Sequence, residues 1–236
     1  MSRFAIALVA LGFLILFVPA NSFAEKAKLK TGENVLACVN FNDGLTSSDM
    51  TLIVQLEADG KMLVNEGSKV KYLYPTAAVS NDWIKPEFSD ASWTDGVSGV
   101  GFADNDDNTE VAAGKSAVIY TRYRFNVDNA AAVKKLIFRA DYDDAYVAWL
   151  NGTEIARSST MAPGGSKVGD IPPWDYSATS GKVTNHEATD LAKGTPNASR
   201  KYQDEVTVDF EGAGAVTAVT PTAKLAITWG NIKEAE

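Results

Sequence analysis

Apolar and polar positions alternate with a period of two through much of this chain, most clearly over residues 134–157. Residues 136–140 form an apolar run with Arg139 inserted, and residues 145–150 form a second. In residues 153–157, Ile155 stands between Glu154 and Ala156. All three predict strands. Residues 145–150 are apolar at successive positions, which predicts a strand covered on both faces of its sheet. Asn151-Gly152 follows, and both residues tolerate the positive φ that a two-residue type I′ turn requires, so a hairpin is predicted there. The short polar side chains of Asp141-Tyr142-Asp143-Asp144 predict a turn between the first two runs.

Similar runs occupy residues 34–41 and 50–56, with Asn42-Asp43-Gly44 and Ser47-Ser48-Asp49 as turn material between them. They predict a hairpin. Residues 116–127 read as a strand, and so do residues 205–210, where Val206, Val208 and Phe210 alternate with polar residues. Residues 59–67 and 128–135 read as connectors. Residues 82–101 are dense in Gly, Asp, Ser and Trp, with room for one helical turn near 85–88. Residues 158–200 hold Pro163, Gly164, Gly165, Gly169, Pro172, Pro173, Gly181, Gly194 and Pro196, which predicts a long surface loop. Residues 211–218 are small and flexible, and Thr220-Pro221 predicts a short helix over 222–233. The chain therefore reads as all-β, with no helix longer than about three turns.

Residues 1–24 have the make-up of a secretory signal peptide: Arg3, an apolar run over 4–19, and small residues at Ser22 and Ala24. The run is short of the roughly 20 residues that span a bilayer. The expectation is a secreted protein, extracellular or periplasmic, with no membrane attachment after cleavage. Leu36-Ala37-Cys38 has the form of a lipoprotein box, but charged residues part it from the apolar run, so no lipid is expected. The remainder, about 212 residues, divides into one domain over 25–210 and a tail over 211–236. A net charge of −8 argues against nucleic acid and anionic membrane as partners. Cys38 is the chain's one cysteine, which excludes an internal disulfide, and its apolar setting predicts a buried thiol.

The stretch DYDDAYVAWLNGTEIAR at 141–157 resembles the "DDGxxxYLNGxEVxR" hairpin of galactose-binding-like jelly-roll domains, which are appended to many secreted bacterial hydrolases and surface proteins. Upstream pieces are similar to theirs in the same order. Residues 67–73 resemble the opening strand. Asp82-Trp83, Pro86, residues 88–93 and Gly96 resemble "DW…P.FDDSxW..G", Val100-Gly101-Phe102 the "GYG" step, and residues 120–125 "YFRxxF". Ala145 stands where the family has Gly after the Asp pair, and Ser89 replaces the first Asp of the FDDS piece. Residues 32–56 resemble the closing segment "GxNVLAVxxHNxxxxSSDxxxxxxL", which in the family follows the Asn-Gly hairpin and here precedes it. Either the domain is circularly permuted, with residues 33–57 supplying its last two strands, or the segment is the remnant of a preceding repeat. Permutation is favoured, because an orphan hairpin this apolar exposes aggregation-prone edges. The resemblance implies an all-β jelly-roll β-sandwich with Trp83, Trp93 and Trp149 in its core. It also implies a non-catalytic binding role, with a glycan or cell-surface polysaccharide as ligand. The alternative is a structural or adhesive cell-envelope protein that meets other envelope proteins.

Candidate chemistry is sparse. The single histidine, His186, rules out a His-based metal cluster, no nucleophile-elbow serine motif is present, and no enzymatic activity is expected. Asp104, Asp106, Asn108 and Glu110 place oxygen side chains at alternate positions of one loop, a pattern that suits structural calcium. The loop lacks the central Gly and the spacing of an EF-hand, and a solvated acidic loop has the same composition. Asp141, Asp143 and Asp144 read as residues that shape a turn. For ligand recognition, Pro172 and Pro173 stiffen the backbone ahead of Trp174, Asp175 and Tyr176, and Arg157 ends the hairpin nearby. Trp and Tyr offer flat faces for stacking on a sugar, and Asp and Arg can meet hydroxyls; the alternative is that Trp174 folds back to cap the sandwich.

Overall fold

The computed structural model describes residues 25–103, 107–189 and 200–212. The expected signal peptide and the helix expected over 222–233 lie outside them. The strands are β1 (Ala27–Leu29), β2 (Gly32–Phe41), β3 (Met50–Ala58), β4 (Lys61–Val64), β5 (Lys69–Leu73), β6 (Thr94–Val97), β7 (Val100–Phe102), β8 (Thr109–Glu110), β9 (Val118–Val127), β10 (Leu136–Asp143), β11 (Ala145–Leu150), β12 (Thr153–Arg157), β13 (Asp204–Thr207) and β14 (Phe210–Gly212). Helical segments among the described residues are short 3-10 turns at Asn81–Ile84, Ala130–Ala132 and Ser159–Gly164. The first lies just ahead of the turn expected near 85–88.

The chain is an all-β sandwich. One sheet has the order β12-β11-β2-β9-β5-β6, and the other has β13-β10-β3-β7-β8 with β4 also on β3. A small parallel pair, β1 with β14, stands beside them. Strand parity explains the layering. On β11, Tyr146, Ala148 and Leu150 point between the sheets, while Ala145, Val147 and Trp149 point to the outer side. The inner set meets Phe138 and Tyr142 of β10, with the Tyr146 ring 5.7 and 4.7 Å from theirs. The outer set is roofed by loops, and Trp83, Trp93, Trp149 and Tyr120 gather there, with Trp83 edge-on to Trp149 at 5.3 Å. The two-sided burial expected of residues 145–150 and the core placement of the three tryptophans hold.

β11 and β12 pair antiparallel around Asn151 (φ 50) and Gly152 (φ 92), the hairpin that Asn-Gly predicts. Asn151 has a second use. Its Oδ1 accepts from the Val35 N–H at 2.9 Å, and its Nδ2 donates to the Lys28 carbonyl at 2.7 Å, pinning the turn to β2 and to β1.

Three expectations are corrected. Residues 34–41 and 50–56 are strands but do not pair with each other as a hairpin. β2 sits between β11 and β9 in one sheet, and β3 lies between β10 and β7 in the other. Their apolar runs each need cover on both sides, and the link between Phe41 and Met50 is long enough to arch across the roughly 10 Å between packed sheets. Residues 33–57 thus give each sheet an interior strand. The turn expected at 141–144 is also displaced. β10 continues to Asp143, opposite Thr51 of β3, and the chain crosses to the other sheet only at Asp144. The carboxylates of Asp141 and Asp144 find partners in distant segments, so these short polar side chains do not make the local turn bonds that would end the strand. A connector expected over 59–67 instead opens with the Asp59-Gly60 turn into β4.

Cys38 lies on the inner face of β2, fully buried, and burial pushes its thiol up, the state of an unreactive packing residue.

Candidate functional site

Two regions carry the polar and acidic groups of interest, and both involve the breaker-rich stretch after β12. The first is built on Arg157. Its guanidinium is nearly buried and forks onto Glu154 (2.8 and 3.0 Å), with further bonds to Ser166 Oγ (2.6 Å) and the Asp170 carbonyl (2.7 Å). Glu154 in turn accepts from the Gly169 N–H at 2.8 Å. The pair therefore clamps residues 166–170 against the hairpin, and these bonds occupy four of the five N–H groups Arg can offer. Beyond the clamp the chain runs over the outer face of the first sheet. Trp174 and Tyr176 are half-buried against the Trp83 cluster, and the Tyr176 ring stands edge-on to Phe41 at 5.4 Å. Asp175 between them is exposed, and its charge adds to burial in pushing the Tyr120 hydroxyl up.

Two depressions meet at Ile171. One, of about 290 Å³, is floored by Trp149 and Ile84 and rimmed by Thr153, Glu154 and the exposed Val168. The other, of about 380 Å³, lies between Pro172, Pro173, Tyr176, Ser166 and Asp170. Of the four residues put forward for ligand contact, Tyr176 lines the second depression. Trp174 and Asp175 flank it in sequence, and Arg157 sits beneath as the clamp.

The loop put forward for calcium divides. Asp104 and Asp106 lie outside the described residues. Asn108 donates to the Ser98 carbonyl at 2.7 Å, and Glu110 is exposed on β8.

The second region is an acidic knot at the end of the sandwich where the β2–β3 and β10–β11 crossings lie. Asp49 comes from the β2–β3 crossing, Asp143 from the end of β10 and Glu187 from the loop that follows residue 183. One carboxylate oxygen of each lies within 4.8 Å of the others. Neighbouring groups hold the knot in place. Asp144 accepts from the Asp43 N–H (2.6 Å) and the His186 N–H (2.7 Å), and the His186 ring stacks on Tyr142 at 4.4 Å. Asp141 accepts from the Thr189 N–H at 2.9 Å and pairs with the buried Arg200 at 2.9 Å, and Arg200 also reaches Glu66 at 3.1 Å. Asp143 is 3 % exposed, and burial first, then Asp144, Asp49 and Glu187, hold its carboxyl well above the usual range. Asp43, Asp49 and Glu187 were legible only as turn and loop residues. Positions 49, 143 and 187 share no spacing, so the knot exists only in the fold.

The raised Asp143 carboxyl has a measurable consequence. The folded chain keeps this proton over a range in which the unfolded chain has already released it. In chelating buffer, stability is thus expected to fall as pH rises from about 4 toward the alkaline range. Thermal melts at successive pH values check this, and Asp143→Asn flattens the trend. Equal trends in both proteins would refute the assignment to Asp143.

Compared with protein-family models, with curated proteins and with solved structures, the chain gives no match.

Proposed function

We propose that this chain is a secreted, non-catalytic binding module of galactose-binding-like, circularly permuted jelly-roll type, and that its ligand is a carbohydrate of a glycan or cell-surface polysaccharide. The observation that carries the reading is the pair of depressions on either side of Ile171. Their floor is apolar and aromatic, and their rim has hydroxyl and carboxylate groups at Thr153, Ser166 and Asp170. Sugar rings have apolar faces and polar edges, and this lining offers a counterpart to each. Pro172 and Pro173 restrict the backbone ahead of Trp174, so little ordering entropy is lost on binding. Arg157 contributes by holding the loop in place through Glu154, Ser166 and the Asp170 carbonyl.

A glycan array on the protein tests the reading directly. The expected result is binding to one glycan class, weakened at least tenfold by Val168→Asp on the exposed rim, with little change in Tm. Trp174→Ala is expected to weaken binding as strongly, with a modest loss of stability because its ring is half-buried on the outer cluster. An array without a single hit, together with specific retention by an envelope protein, would replace this reading with the adhesive one.

A further inference from the structure

We propose that Asp49, Asp143 and Glu187, with the side-chain oxygen of Asn42 as a fourth donor, form a calcium site that fastens the β2–β3 and β10–β11 crossings to the loop carrying Glu187. The carboxylate oxygens are already within 4.8 Å of one another, and among the described residues none of the three has a basic partner. Arg200, a buried cation of the region, pairs with Asp141 and Glu66. Like charges held this close repel one another, and a bound cation shared among their oxygens answers that repulsion.

An independent observation points the same way. Asn42 is 1 % exposed, and its Oδ1 has no hydrogen-bond partner, although its Nδ2 donates to the Asp49 carbonyl at 2.8 Å. Asn40, fully buried, repeats the pattern at the other crossing: Nδ2 donates to the Asp143 carbonyl at 2.5 Å, and Oδ1 is unpartnered. Buried acceptors are rarely left without partners. These two stand beside the acidic knot because their own amide nitrogens are bonded to the main chain of its members.

The donor set is all oxygen, with carboxylates and a carboxamide drawn from three separate segments. Calcium accepts about six to eight oxygens in adaptable geometry, with water or a bidentate carboxylate completing the shell. Magnesium holds its own waters and asks for a stricter octahedron. The absence of thiolate or a free imidazole in the set disfavours zinc. A cation here would join residues 42–49, the β10–β11 crossing and residues 184–189, three segments that meet only at this end of the sandwich.

The test is calcium chloride titrated calorimetrically into protein freed of metal by chelator, with thermal melts in parallel. One calcium per chain and a Tm raised by several degrees are expected, with magnesium at the same concentration giving a much smaller shift. Glu187→Gln, at an exposed position, is expected to weaken calcium at least tenfold with Tm in chelator unchanged. Asp143→Asn is expected to abolish binding while Tm in chelator stays equal or rises. Glu110→Gln, in the other acidic loop, is expected to bind as the parent does. No heat and no shift at millimolar calcium would overturn the site. So would parental affinity in Glu187→Gln, a loss that follows Glu110→Gln instead, or an equal response to magnesium.

Discussion

A chain lacking residues 33–57 is expected to be insoluble or molten, with no cooperative thermal transition. β2 is laddered on both sides, from Gly32 opposite Val127 to Phe41 opposite Val118 on β9, and from Leu36 to Phe41 against β11. β3 is laddered to β10 from Met50's neighbour Thr51 to Ala58, and to β7 and β4 on its other edge. Removing both opens an interior gap in each sheet and leaves new unpaired edges. The side chains lost include Val35, Leu36, Val39, Phe41, Leu52, Ile53, Val54 and Leu56, all fully buried. Burial of one such side chain is worth about 1.5–3 kcal/mol, and a whole domain is stable by only about 5–15 kcal/mol, so a few of these losses suffice. The measurements are solubility, near-UV circular dichroism and a melt. Retained far-UV signal with lost near-UV signal and dye binding marks the molten outcome. A sharp transition at the parental Tm would show that the segment is dispensable.

What the sequence made legible was whatever depends on near neighbours. The period-two runs and Asn151-Gly152 located β11 and β12, and the two-sided apolarity of Ala145–Leu150 announced the outer layer that the loops provide. The Asp59-Gly60 turn was written in the same language as Asn151-Gly152, between Leu56 and Leu63, yet the polar residues around it masked β4. Strand partners were less accessible. The apolar pattern of β2 and β3 is the same whether they pair with each other or join opposite sheets, and only the long link between them hints at the second. Asp141 and Asp143 misled for a related reason. A short carboxylate favours a turn when its bonds are local, but Asp141 bonds to Thr189 and Arg200, and the carboxylates gathered near Asp143 are Asp49 and Glu187, all too far along the chain for local patterning to register. The same distance hid the acidic knot, and it hid the use of Arg157, whose bonding partners Ser166 and Asp170 lie in a stretch that reads only as breakers.

Arg122→Ala is expected to destabilise the fold by about 3–5 kcal/mol, the range for breaking a buried, hydrogen-bonded ion pair from one side. Arg122 lies on the outer face of β9, 1 % exposed, beneath the loop that carries Trp83 and Trp93. Its Nε donates to Asp90 at 2.8 Å. Its two terminal nitrogens donate to the carbonyls of Trp83, Lys85 and Phe88, and the Phe88 ring lies 5.3 Å from the guanidinium carbon. Burial pulls the guanidinium down from its ordinary range while Asp90 opposes this, and Arg122 in turn helps hold the Asp90 carboxyl below the usual range against the cost of burial. Truncation leaves Asp90 without its closest cation and the Trp83 carbonyl without a donor, while the Lys85 and Phe88 carbonyls keep only the longer bonds from the Phe88 N–H and from Arg124. Arg122→Lys is expected to recover little, since an ammonium cannot span a carboxylate and three separate carbonyls with planar geometry. Asp90→Asn is expected to cost less than Arg122→Ala, because the arginine keeps its carbonyl partners and an acceptor oxygen remains at position 90. Denaturant melts of the three variants decide the matter. An Arg122→Ala protein within about 1 kcal/mol of the parent, the scale of an exposed ion pair, would mean that the loop is held by Trp83 and Trp93 packing alone.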